Sequence, residues 1–244
     1  MGKTIVITGA GIGLGRALAR RFANDGDTPI LLGRTFAKVK AAADEIGGSA
    51  LAVECEVSSP DSVRAAFAKI AEHHPKIDAL INNAALYEPF NVADARDDQI
   101  LDIVGANLTG PILCARAAIP MMEKGGYIIN VSSESVALDF PMLSLYQCTK
   151  AGLERFTQSL SHELAPDGIR VSTVRAGPMM DEGKGSTWDP EIGMQFYQKC
   201  VAVGIDLRSR PISHVNSVTD VFRALLDLPP DVRVTHASIE ARHP

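Results

Sequence analysis

The sequence predicts an α/β fold: one doubly wound, mainly parallel seven-stranded sheet with helices on both faces, in a single domain. Three observations carry this. Short β-branched runs alternate with helical periodicity along the chain. Turn residues fall between them, at Gly47-Gly48, Pro75, Gly125-Gly126, Pro166-Asp167-Gly168 and Pro229-Pro230. The length of 244 residues, 46% of them hydrophobic and 22% charged, buries one large core without a second domain.

The elements follow in order. Thr4 to Ile7 reads as a strand before a helix over Ala17 to Asn24, and Ile30 to Leu32 as a strand before a helix over Lys38 to Ile46. Ala50 to Cys55 and Ser62 to Glu72 form the third pair. The strand Ala79 to Ile81 precedes two helical stretches ending near Glu123. Tyr127 to Val131, a helix from about Tyr146 to Leu164, Arg170 to Val174, a helix over Val218 to Leu226 and a last strand over Val232 to Ile239 complete the series. Repeated strand–helix–strand units require parallel pairing, because a crossover returns the chain to the same sheet end. Met179 to Asn216 lacks a clear period and reads as a lid over residues 179–216, set on a domain of residues 1–244.

Composition excludes several function classes. A formal charge of -5 and scattered cations argue against a nucleic-acid footprint. Cys55, Cys114, Cys148 and Cys200 show neither C-x-x-C pairing nor histidine-rich spacing, so no metal site and no disulfide framework is expected. No unbroken apolar run reaches bilayer-spanning length, and the first strand leaves no room for a leader. The expectation is a cytoplasmic protein with small-molecule partners, bound to neither nucleic acid nor membrane.

Two motifs carry chemistry. Tyr146 and Lys150 lie four residues apart, which puts a phenol and an ammonium on one helical face. Ser133 lies thirteen residues upstream of Tyr146, a separation that selects it over Ser132. The turn after the first strand, Thr8-Gly9-Ala10-Gly11-Ile12-Gly13-Leu14-Gly15, lacks the general G-x-G-x-x-G spacing. Its glycines at 9, 13 and 15 still permit a tight turn that brings backbone N–H groups and a helix N-terminus against a pyrophosphate.

These residues resemble a short-chain dehydrogenase/reductase of the compact single-domain type. The pattern T-G-x-x-x-G-x-G matches Thr8, Gly9, Gly13 and Gly15, N-N-A-G appears as Asn82-Asn83-Ala84-Ala85, and Asn107, Ser133 and the Tyr146/Lys150 pair match in order. The resemblance implies a Rossmann-type fold and hydride transfer between nicotinamide and a carbonyl or secondary alcohol. It implies Tyr146 as general acid or base, Lys150 lowering the phenol pKa and binding the nicotinamide ribose, Ser133 holding the substrate oxygen, and Asn107 keeping a water that links Lys150 to solvent. Cofactor contacts are expected from Gly9, Gly11, Ile12, Gly13, Leu14, Gly15, Asn83, Tyr146, Lys150 and Gly177. Relatives pair the helices following Asn107 and Tyr146 about a symmetry axis, so a homodimer or homotetramer is expected.

Leu32-Gly33-Arg34-Thr35 ends the second strand without the carboxylate that would accept from a ribose 2'-hydroxyl, and Arg34 offers a planar fork for a 2'-phosphate. The expected cofactor is therefore NADP. Glu56 replaces the usual aspartate before Val57 and is expected to reach the adenine amine. Asp181 stands where a threonine often contacts the carboxamide, and Glu134 where a small residue is common, which would favour a cationic or hydroxylated substrate. Met179, Met180, Trp188, Met194, Phe196 and Tyr197, with Lys184, Arg208 and Arg210, are candidates to cover a substrate. The altered 176–181 segment motivates an alternative, a non-catalytic NADP-binding sensor or scaffold on the same fold. A sugar-nucleotide epimerase is disfavoured by the glycine spacing and the lack of a longer C-terminal domain.

Overall fold

The computed structural model describes residues 2–181 and 188–242. Its main sheet holds β1 (Thr4–Thr8), β2 (Thr28–Gly33), β3 (Leu51–Glu54), β4 (Ala79–Asn82), β5 (Tyr127–Ser133), β6 (Arg170–Ala176) and, after two short strands β7 (Met179–Met180) and β8 (Ser213–His214), β9 (His236–Ile239). The order is β3-β2-β1-β4-β5-β6-β9, and every neighbouring pair is parallel. The helices are α1 (Gly13–Asn24), α2 (Phe36–Ile46), α3 (Pro60–His73), α4 (Asp97–Val104), α5 (Gly110–Ala118), α6 (Ser144–Glu163), α7 (Pro190–Ala202) and α8 (Val215–Asp227).

Side-chain alternation along the strands builds a core on each face. Val6, Ile30, Leu32, Leu80 and Ile128 pack with Val63, Phe67 and Leu160 of α3 and α6. Their strand neighbours Ile5, Ile7, Leu31, Ile81 and Ile129 pack with Leu18, Phe22 and Phe222 of α1 and α8. This is the doubly wound arrangement the sequence predicts. Phe22 and Phe222 are fully buried, and truncating either to alanine costs about 3–5 kcal/mol.

Three details differ from the sequence reading. The two helical stretches after β4 are one continuous helical run, Asp97–Met121, with a π turn at Gly105–Thr109 in its middle. By length and composition the run resembles a membrane span, yet its buried Cys114, Ala115 and Ala118 belong to the core. The last strand is confined to His236–Ile239, paired with Thr173–Ala176. The stretch read as patternless contains α7 and the strand pair β7–β8. Its apolar residues Ile192, Phe196 and Cys200 recur every four positions, but exposed Met194 and Val201 interrupt the stripe. Residues 182–187 of the expected lid, with Lys184, lie outside the described residues.

Candidate functional site

Strand order reverses between β1 and β4, and a cleft of about 390 Å³ opens beyond their carboxyl ends. Such a reversal splays the connecting loops apart and leaves a crevice. Gly9, Gly11, Ile12, Gly13 and Leu14 form one wall, Asn83 to Leu86 another, and Gly33, Arg34, Lys38, Glu56 and Val57 the far end. The turn needs its glycines for different reasons. Gly9 and Gly13 have φ of +67° and +58°, the left-handed region. A Cβ on Gly15 would lie 2.5 Å from the Gly9 carbonyl oxygen, so this residue stands behind the turn, holding α1 close, and does not line the cleft. Thr8 Oγ1 accepts from the backbone amides of Asn83 and Ala84 at 3.0 Å, and the Asn83 side-chain Nδ2 donates to the Thr8 carbonyl at 3.0 Å. The two loops are thereby locked together.

At the far end, Arg34 Nε lies 3.6 Å from Glu56 Oε2. Glu56 is tied in turn to Ser58, whose hydroxyl donates to Oε1 at 2.9 Å. The extra methylene that distinguishes Glu56 from aspartate thus brings a carboxylate onto the guanidinium expected to take a phosphate. Lys38, unnoticed in the sequence, also lines this end, its backbone packed against Gly11. Its place in the first turn of α2, four residues after Arg34, is the signal that would have found it.

No side chain of its own caps α1, and no acidic residue lies in its first turn. The group that does so comes from far along the chain: Asp181 Oδ2 accepts from the Gly13 amide at 2.9 Å and lies 3.8 Å from Arg16 Nη2. Asp181 therefore engages the glycine turn through a carboxylate, and Arg16 points to it. Gly177 stands outside the cleft wall; its amide donates to the Ile239 carbonyl at 2.9 Å, and a Cβ there would lie 2.8 Å from that oxygen.

The residues expected to do chemistry gather where α6 begins against the end of β5. Tyr146 and Lys150 are both buried. Lys150 Nζ donates to the Val131 carbonyl at 2.8 Å and lies 5.8 Å from the centroid of the Tyr146 ring. Burial pushes the phenol up to about 12; interaction with the Ser133 hydroxyl opposes the rise and the Glu134 charge adds to it. Burial also pulls Lys150 down to about 8. The expected lowering of the phenol by Lys150 is not seen; burial sets the direction for both groups, because desolvation penalises both charged forms. Asn107 sits in the π turn, fully buried, with its Oδ1 accepting from the Leu86 amide at 2.7 Å and its Nδ2 donating to the Leu86 carbonyl at 2.8 Å. It fastens the loop after β4 to the helical run of α4 and α5, and Nδ2 also donates to Thr149 Oγ1 of α6 at 3.3 Å.

Sequence reading missed Tyr87, though it named Trp188 and Phe196 as candidates to cover a substrate. Tyr87 meets its ring edge-on at 4.9 Å between centroids, Trp188 lies 5.0 Å from Tyr87, and Phe196 lies 5.6 Å from Trp188. Trp188 Nε1 donates to the Tyr87 carbonyl at 2.9 Å. Glu134 is held by Arg210 at 2.5 Å, and that guanidinium lies 5.4 Å from the Phe140 centroid. The charge expected to favour a cationic substrate is therefore already met. Of the expected cover, Met180 and Met194 are more than half exposed while Phe196 is buried, and Arg208 stacks on Tyr197 at 4.5 Å. Among the described residues no cluster of three metal-ligating side chains occurs.

Fold and site together define a Rossmann-type protein with its polar chemistry at the carboxyl ends of the strands. The model of the short chain dehydrogenases matches residues 3–190, and the chain belongs to that family. It is 34% identical over 177 residues to a 3beta-hydroxysteroid dehydrogenase of Mediterraneibacter gnavus, covering 70% of this chain and 64% of the relative. It is 33% identical over 195 residues to a D-xylose 1-dehydrogenase of Caulobacter vibrioides, covering 78% and 77%. Among solved structures, a metagenomic short-chain oxidoreductase in complex with NADP superposes with a TM-score of 0.79 at 25% identity, over 100% of this chain and 98% of that one.

Proposed function

We propose that this protein is an NADP-dependent oxidoreductase that moves a hydride between nicotinamide C4 and a carbonyl or secondary alcohol of a small molecule. The observation that carries the reading is the gathering of Tyr146, Ser133 and Lys150 where α6 meets the end of β5, in a chain whose cleft at the ends of β1 and β4 presents Arg34 and Lys38 at its far end. The cleft suits a dinucleotide: glycines let the backbone approach, α1 offers amides at its N-terminus, and the cations Arg34 and Lys38 at its far end would suit a 2'-phosphate. The NADP complex of the metagenomic relative supports the same cofactor.

When bound, the nicotinamide supplies the hydride or accepts it. The chain does the rest. Tyr146 gives its proton to the substrate oxygen in reduction, or takes it in oxidation, while Ser133 donates to that oxygen and orients it. Lys150, charged near neutrality, sits one turn from Tyr146 and offsets negative charge as the phenol loses its proton. Asn107 holds the loop after β4 so that Leu86 keeps its place in the cleft wall. Tyr87 and Trp188 exclude water from the reacting atoms and present an apolar wall to the substrate. Assembly as a homo-oligomer belongs to the same reading; Leu101 of α4 and Ile112 of α5 leave apolar side chains on the outside.

The test is a fluorescence titration with NADPH and NADH beside Arg34→Ala, followed by a carbonyl and alcohol panel. Tight NADPH binding that falls to the NADH level in the variant, with turnover of a panel member, supports the reading. Tight binding with no turnover across the panel overturns the enzyme and leaves a cofactor-binding protein.

A further inference from the structure

One face of α6 is joined to β5 by a run of polar contacts inside an otherwise apolar layer. Asn130 Nδ2 donates to Thr157 Oγ1 at 2.8 Å, Ser132 Oγ donates to Glu154 Oε1 at 2.7 Å, Lys150 Nζ donates to the Val131 carbonyl, and Tyr146 meets Ser133. Successive turns of the helix thus descend the strand as the strand ascends. Residues 130 and 132 face α6 because strand side chains alternate. Tyr146, Lys150, Glu154 and Thr157 share a helical face because they are spaced by three or four.

Glu154 is the unusual member of this run. Its carboxylate also takes a two-point hydrogen bond from Arg175, Nε to Oε1 at 3.0 Å and Nη2 to Oε2 at 2.8 Å. Arg175 lies on β6 directly opposite Ser132 in the sheet register. One carboxylate therefore binds two neighbouring strands at the residue before Ser133, one turn below Lys150. Thr157 and Asn130 fix the lower part of the same helix, but neither is charged or joined to β6. Bidentate guanidinium–carboxylate pairing is directional, so it resists both sliding and rotation of α6.

We propose that Glu154, held by Arg175, is a positioning residue that sets the axial register of α6 on β5 and so brings Tyr146 into line with Ser133. It touches neither substrate nor cofactor, and the inference rests on the oxidoreductase reading only for its effect on rate. A displacement of about 1 Å at reacting atoms lowers rates by roughly 100-fold, so loss of this tie acts on kcat and leaves cofactor affinity intact.

The experiment compares wild type, Glu154→Leu, Glu154→Gln and the double variant Glu154→Leu/Arg175→Leu. The single leucine variant strands a guanidinium and is expected to unfold more easily; the double variant removes both charges together and restores the melting temperature. The expected result is that the double variant, though stable, retains NADPH affinity and loses about 10- to 100-fold in kcat, while Glu154→Gln, which keeps an oxygen for Ser132, loses less. Full recovery of kcat with stability in the double variant overturns the proposal. A readout without turnover runs in parallel: NMR titration of the Lys150 ammonium in the unliganded protein. Its midpoint is expected near 8 in wild type, where burial lowers it, and nearer the ordinary lysine value in the double variant as looser packing of α6 on β5 admits water to the ammonium. An unmoved midpoint counts against the positioning role even if no substrate is found, whereas absence of turnover in wild type with a moved midpoint sinks only the oxidoreductase reading.

Discussion

The two walls of the site are built in opposite ways. Along β5 and α6, polar groups are paired with one another, Asn130 with Thr157, Ser132 with Glu154 and Lys150 with the Val131 carbonyl, and Asn107 in the neighbouring π turn is paired with the Leu86 backbone. Across the glycine turn, by contrast, two carboxylates sit on groups suited to an anionic ligand, Glu56 near Arg34 and Asp181 on the Gly13 amide beside Arg16. The first wall is ordered in advance, and the second is held by internal anions that, on the proposed reading, a phosphate-bearing cofactor would exchange for its own. On that reading preorganisation is concentrated at the groups proposed to react, while the proposed binding wall trades internal contacts for ligand contacts.

The sharpest way to break this contrast is to remove the phenol from the ordered wall. Tyr146→Phe is expected to lower kcat/KM by roughly 10²- to 10⁴-fold while NADPH affinity, measured by fluorescence, stays unchanged. Normal turnover in this variant means that the ordered wall is not the reacting one.

The next largest effect concerns Lys150. Burial holds its pKa near 8 in the folded chain, below the ordinary lysine value, so the unfolded chain binds more protons between about 8 and 10.5. Stability is therefore expected to rise with pH across that window, by an amount on the order of 3 kcal/mol. Lys150→Met removes this rise. Denaturant unfolding at pH 7.5 and 9.5 of both chains measures it, and parallel pH profiles would show that the ammonium is solvated after all.

Two smaller changes probe the exchangeable wall. Arg34→Ala is expected to weaken NADPH by about 10- to 30-fold, the worth of one charge-assisted pair, with little effect on NADH; Lys38→Ala follows in the same direction by less. Equal losses for both cofactors would place the 2'-phosphate elsewhere. Asp181→Asn keeps an acceptor for Gly13 but removes the charge. It is expected to tighten NADPH by about 3- to 10-fold at low salt, and the gain shrinks as salt screens it. Weaker binding in titration calorimetry would show that Asp181 assists the cofactor instead of competing with it.

The sequence by itself determined the layers and pointed to the groups proposed to react. Alternation of Ile5, Val6 and Ile7 commits them to opposite faces, glycines before α1 permit the turn, and a spacing of four puts Tyr146 and Lys150 on one face, because each of these is local geometry repeated along a backbone. Only the tertiary structure decided what meets those groups. Asp181 lies 168 residues from Gly13, Arg210 lies 76 from Glu134, and Trp188 lies 101 from Tyr87. No period links such pairs, since their meeting depends on how separate crossovers return to one end of the sheet. The same holds for the phenol. Its pairing with lysine was legible, but its rise to about 12 was not, because burial is a property of the closed core and not of any stretch of sequence.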